Sequence, residues 1–154
     1  MQVSQLGFFA LMLAAGVGIP IMAALNSGLG QKLGNPLAAV FVLCVVATIA
    51  VTILLVATGI PSLGAVSAPS PAQLSAGGLF IFYIASITYA APKIGLGNAV
   101  FFVLLGQLVC AAVIDHFSLL GAANSPITGK RMVGLALMAV GVYLAKSEVL
   151  PAHG

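Results

Sequence analysis

Two acids and five bases are spread along 154 residues, and long apolar runs separate them. This distribution constrains the fold more than any other feature. A soluble domain carries roughly 25% charged residues, whereas 5% of this chain is charged. So few ionic groups cannot cover a water-facing surface. The main solvent must be a bilayer, and the expected fold class is an all-α membrane protein. A spanning helix needs about 20 mostly apolar residues. Five such spans, at 6–26, 36–58, 73–92, 97–117 and 126–146, use most of the chain. They form a single transmembrane domain, and no soluble domain fits in what is left.

The net charge is +3. In a soluble protein that would suggest nucleic acid. Here the bases stand between apolar runs, as interfacial anchors do, and no nucleic-acid partner is expected. Cys44 and Cys110 lie inside apolar runs as small packing residues. No spacing suggests a metal or a disulfide, and no cofactor is expected. Residues 1–5, MQVSQ, lack the basic side chain of a signal peptide, so the first run is expected to be a retained span.

The first run has no hydrogen-bonding side chain before Asn26 and is interrupted by Gly16, Gly18 and Pro20. A kink near Pro20 is expected, and the glycines can also admit a neighbouring helix. Asn26 and Ser27 mark the exit, followed by a glycine-rich turn through Gly28, Gly30 and Gly34. Asn35-Pro36 is a cap-then-proline helix start. In the second run, Thr48 and Thr52 can bond back to their own helix. Residues 59–72 are a linker rich in Pro, Ser and Gly. In the third run, Ser75, Leu79, Phe82, Ser86, Tyr89 and Lys93 recur at helical spacing. That stripe is either an interfacial tyrosine with a snorkelling lysine or one wall of a polar cavity.

The fourth run, LGNAVFFVLLGQLVCAAVIDHF, carries an amide near its middle and an acid–imidazole pair at its exit. Asn98 is a plausible cap. Gln107 lies nine residues on, about 180° round the helix. An unpartnered amide in hydrocarbon costs several kcal/mol, so Gln107 must face protein or water. It serves either as helix glue or as a substrate-binding group. Asp115 lies about 12 Å further along the axis, at the membrane edge. It either forms a structural ion pair with Lys130 or Arg131, or belongs to a proton- or substrate-coupled site with His116. Ser125-Pro126 repeats the helix-start signal. Gly134 and Gly141 share one stripe in the last run, a packing surface for another helix or a second copy.

With five spans, the N-terminal side holds Lys130 and Arg131, and the other side holds Lys32, Lys93 and Lys146. Basic-residue bias sets membrane orientation, and two against three is almost no bias. The chain is expected to insert both ways and to form an antiparallel homodimer, equivalent to an inverted repeat.

Several of these stretches resemble the drug/metabolite transporter superfamily, and its five-span YdcZ-like branch of inner-membrane exporters in particular. They are Gly16 to Asn26, Asn35-Pro36, Gly106-Gln107-Leu108, Ile114-Asp115-His116-Phe117, and Pro126, Arg131, Gly134 and Gly141-Val142. The last run, GLALMAVGVYLA, is similar to the dimerising helix of small multidrug-resistance proteins. The resemblance implies a half-size, multi-pass transporter of the bacterial inner (cytoplasmic) membrane. Those small multidrug-resistance proteins carry a glutamate in their first helix for proton exchange against cationic drugs. This first run has no carboxylate, so a neutral, zwitterionic or anionic substrate fits better.

The leading function is therefore small-molecule transport by alternating access. The expected substrate-binding residues are Gln107, Ser86, Tyr89, Asn26 and Asp115, and the packing glycines are Gly134, Gly141, Gly16 and Gly18. The alternative is a non-transporting subunit that packs against a larger membrane partner. An enzyme is not expected: no catalytic spacing appears, and neighbours such as Asp115 and His116 do not share a helical face.

Overall fold

A computed structural model describes residues 5–60, 68–122 and 125–145 of the chain. Among these residues all regular structure is helical. The helices are α1 (Gln5–Lys32), α2 (Pro36–Thr58), α3 (Pro71–Ile94), α4 (Leu96–His116) and α5 (Gly129–Ala145), with a short 3-10 turn at Leu119–Gly121. The first four are long and apolar enough to cross a membrane. The described part of α5 has 17 residues, a rise of about 25 Å against a hydrocarbon core of about 30 Å. The chain divides into two compact units, Met1–Lys93 and Ile94–Gly154.

In the first unit, α1 does not stop at Asn26–Ser27. It is continuous past Pro20 and runs on through Gly28 and Gly30 to Lys32. The glycine-rich exit turn expected from the sequence is confined to three residues. Gly34 has a left-handed backbone, φ +63°. Its N–H donates to Gln31 O, and the Asn35 N–H donates to Gly30 O. This pair of bonds is a Schellman closure, which caps the last carbonyls of α1. Asn35 then opens α2 at once. Its side chain accepts from the N–H groups of Leu37 at 2.9 Å and Ala38 at 3.3 Å, with Pro36 in the first turn. The threonines of α2 behave as the sequence suggests: Thr48 donates to Cys44 O and Thr52 to Thr48 O.

The middle of the expected linker, 61–67, lies outside the described residues. α3 begins at Pro71, earlier than expected, because Ser70 and Gln73 form a capping box. The Ser70 N–H donates to Gln73 Oε1 at 2.8 Å, and the Gln73 N–H donates to Ser70 Oγ at 3.3 Å.

The buried face of α1 is Ala23, Asn26, Ser27 and Gly30; that of α3 is Ile84, Ile87, Thr88 and Ala91. Both sets follow the spacing i, i+3, i+4, i+7 of one helical stripe. They are small or β-branched, so backbones can approach closely. Gly30 is the tightest point. A Cβ there would lie 3.2 Å from Thr88 Cγ2, 3.4 Å from Pro36 Cα and 3.7 Å from Ala39 Cβ. Three helices converge on that hydrogen.

In the second unit, the cap of α4 is Gly95, at φ +83°. Asn98 is not a cap. It sits one turn inside the helix, buried, and its Nδ2 donates to Ile94 O at 2.7 Å. A carbonyl freed by the glycine bend is thereby satisfied. α5 starts at Gly129 rather than at Pro126 because Thr128 is the better-placed cap. Thr128 Oγ1 accepts from the Arg131 N–H and Thr128 O from the Met132 N–H. Ser125 is used elsewhere, as described below.

The left-handed position at Gly34 makes a test. Gly34→Ala is expected to destabilise the α1–α2 hairpin by about 1–2 kcal/mol, the cost of left-handed backbone with a Cβ. Gly34→Asn is expected to lose less, because Asn tolerates that conformation. Unfolding of the purified chain by SDS titration in mixed micelles measures both.

Candidate functional site

The polar end of the first unit is built on α1 and α3. Asn26 Nδ2 donates to Thr88 Oγ1 at 2.7 Å. Asn26 is 4% exposed, Thr88 2% and Ser27 6%. Among the described residues, Asn26 Oδ1 accepts no hydrogen bond from the protein. The pair therefore fixes the amide's orientation and leaves its carbonyl free.

Two cavities flank this pair. One, about 540 Å³, runs between α1 and α2 with Phe80 of α3 on its wall. Gly18, Met22, Leu25, Val46 and Ala47 line it, and Asn26 is its polar residue. The other, about 260 Å³, is lined by Ser27, Gln31, Thr88, Tyr89 and Lys93 among others. Lys93 Nζ lies 3.7 Å from the centroid of the Tyr89 ring, a cation–π contact. It leaves a positive charge at the edge of this smaller cavity. A third hollow, about 400 Å³, is lined by Asn35, Ser86 and Tyr89. The Tyr83 hydroxyl is enclosed and has no hydrogen-bond partner among the described residues.

In the second unit Asp115 is engaged. Arg131 Nη2 donates to Asp115 Oδ2 at 2.6 Å, and the two side chains are about a third exposed (30% and 34%). Arg131 Nη1 also donates to Ser125 O at 2.9 Å and to Ser125 Oγ at 3.1 Å. The Ser125 N–H donates to Asp115 O, and the Ile127 N–H donates to His116 Nδ1 at 3.1 Å. These bonds tie the end of α4 to the start of α5. The ion-pair alternative for Asp115 is the one the structure contains, with Arg131 as partner. Lys130 is exposed and takes no part in it.

Of the expected site residues, Asn26, Ser86 and Tyr89 line cavities of the first unit. Gln107 is exposed, and its side chain makes no hydrogen bond with a described residue. A Cβ on Gly16, Gly18, Gly134 or Gly141 would meet nothing within 4 Å among the described residues. Thr88, Ser27 and Gln31 were not anticipated. The stripe read along α3 from Ser75 to Lys93 follows its exposed side: Leu79, Phe82 and Tyr89 are 68%, 72% and 56% exposed. The signal for the buried side was present in the sequence. The same i, i+3, i+4, i+7 spacing occurs at 23, 26, 27, 30, which are small or short polar residues, and at 84, 87, 88, 91, which are β-branched or small.

Four apolar, membrane-length helices carrying large exposed aliphatic and aromatic side chains define a multi-pass integral membrane protein. The family model described as "Putative inner membrane exporter, YdcZ" matches residues 7–144. The chain belongs to that family, and so to a class of inner-membrane transporters. The match runs from the first turn of α1 almost to the end of the described α5. No curated protein and no solved structure matches the chain.

The Asn26–Thr88 bond can be probed directly. Thr88→Val is expected to cost about 1–3 kcal/mol, because it leaves a buried amide unpaired. Thr88→Ser keeps the hydroxyl and is expected to cost less than about 1.5 kcal/mol, the lost methyl alone. Thermal unfolding of both variants in detergent checks the order.

Proposed function

We propose that the chain carries a small, largely apolar molecule across the inner membrane of a bacterium. It works by alternating access, as an antiparallel homodimer of five-span units. α5 is the fifth span on this reading: Lys130 and Arg131 in its first turn can snorkel to the interface and make up its short apolar length. The near-equal division of bases, two against three, supports insertion in both orientations. The family match supports the transport function.

The observation that carries the reading is the Asn26–Thr88 pair at the polar end of the 540 Å³ cavity. A pocket with apolar walls and one oriented amide holds an apolar body and anchors one hydrogen-bonding group. The acids of the chain are Asp115 and Glu148, so α1, α2 and α3 contain none. Exchange of a cation against protons on a carboxylate in these helices has no residue to use. The substrate is therefore neutral, zwitterionic or anionic, and Lys93 is the charge nearest the cavities. We read the chain as a carrier that needs no cofactor, and not as an enzyme. One observation favours the other reading, a subunit of a larger membrane complex. A Cβ on Gly16, Gly134 or Gly141, none of which lines the cavity, would meet nothing within 4 Å, which leaves room for a different protein to pack there.

Filling the cavity tests transport without breaking the polar pair. Gly18 lines the cavity, and a Cβ on it meets nothing within 4 Å. Gly18→Phe is expected to fold normally and to lower flux at least about tenfold, a barrier change of only about 1.4 kcal/mol. The readout is efflux from proteoliposomes loaded with a panel of neutral and anionic fluorescent dyes. If no dye leaves faster than from protein-free vesicles, the transport reading fails. If Gly18→Phe leaves flux unchanged, this cavity is not the pathway.

A further inference from the structure

Gln107 is the polar group that its own chain leaves unserved in the worst place. α4 has 21 residues, a rise of about 31 Å that matches the hydrocarbon thickness of about 30 Å. Gln107 is one residue past the helix midpoint and so lies within about 2 Å of the bilayer midplane. It is exposed and has no hydrogen-bond partner among the described residues. Lipid tails offer no partner, and an unpaired amide there costs several kcal/mol.

The carboxamide carries both a donor and an acceptor, so its partial charges are complementary to those of another carboxamide. Depth decides which carboxamide. A two-fold axis in the membrane plane, which relates opposed copies, sends each residue to the mirror-image depth. A residue can then meet its own counterpart only near the midplane. Gln107 satisfies that condition. Leu104 and Cys110, three residues to either side, lie on the same helical face. Leu104 is 43% exposed and Cys110 is exposed and unpaired.

We infer that the face of Leu104, Gln107 and Cys110 seats a second, inverted copy of this chain, the two Gln107 carboxamides exchanging a reciprocal pair of hydrogen bonds at the bilayer midplane. This assignment rests on the antiparallel-dimer reading and adds the surface on which the copies meet. It gives Gln107 the assembly role in place of substrate binding.

Register makes the test. In the inverted pair Leu104 of one copy lies level with Cys110 of the other. Two Cys110 residues are then about 9 Å apart along the axis, and a disulfide needs Cα atoms within about 7 Å. In a parallel pair each Cys110 faces its own counterpart. The full-length protein in native membranes, with Cys44→Ser, is treated with copper-phenanthroline and run on non-reducing gels. Gln107→Cys with Cys110→Ala is expected to cross-link. Leu104→Cys beside the native Cys110 is expected to cross-link faster than either cysteine alone. Light scattering on the wild type in detergent gives the dimer constant, and Gln107→Ala is expected to weaken it roughly eight- to three-hundredfold, the worth of the two interhelical hydrogen bonds it removes.

If Gln107→Cys stays monomeric on the gel while light scattering still finds a dimer, the copies meet elsewhere. This assignment is then overturned and the antiparallel dimer stands. An unchanged dimer constant for Gln107→Ala overturns the reciprocal pairing in the same way. If Cys110 alone cross-links as fast as the Leu104→Cys protein, the copies are parallel, and both this assignment and the inverted dimer fall.

Discussion

In hydrocarbon a polar side chain has only protein to bond with, and that constraint orders this molecule. The threonines of α2 spend their hydroxyls on carbonyls one turn back. Asn98 returns its amide to Ile94 O. Asn26 and Thr88 pair across two helices, and their bond holds together the stripes that bury the first unit. At the membrane edge, where water is near, the rule relaxes. There Asp115 and Arg131 remain about a third exposed, and such a pair contributes only modest stability. Its use is to fix the end of α4 against the start of α5.

The fold class was legible because it follows from solvent. Five charged bases and two acids leave no alternative to a membrane. Helix starts with a local chemical cause were legible too: Asn35 caps α2 as its position before Pro36 implies. What failed had competing local signals. Gly28 and Gly30 look like a turn, yet both lie inside α1, and at Gly30 the helix packs closely against Thr88 and Ala39. Ser125-Pro126 looks like a start, yet Thr128 holds the cap and Ser125 serves Arg131.

The site was half legible for a related reason. The polar residues at helical spacing, Ser86 and Tyr89, lie on the exposed side of α3. The buried face of α3 is instead two isoleucines, an alanine and one threonine, Thr88, whose polarity is hidden in a bond to Asn26. A stripe in a bilayer does not separate polar from apolar as it does in water. Small or β-branched residues at i, i+3, i+4, i+7 are the better marker of contact. Asp115 was legible to the level of two alternatives, and the position of Arg131 shows the ion pair that one of them expects.

The two units divide the work on this account. The first supplies an apolar cavity with one fixed amide; the second carries an exposed glutamine near the middle of α4. Opposed copies would be related as the two halves of an inverted repeat are, the arrangement on which alternating access is often built. The most direct measurement of that claim is the orientation of single molecules in the cell. Fusing the C-terminus to a reporter active only in the cytoplasm, and separately to one active only outside the inner membrane, counts the two populations. The account predicts comparable activity from both fusions. Activity from one reporter alone would mean that all copies face the same way, and would contradict it.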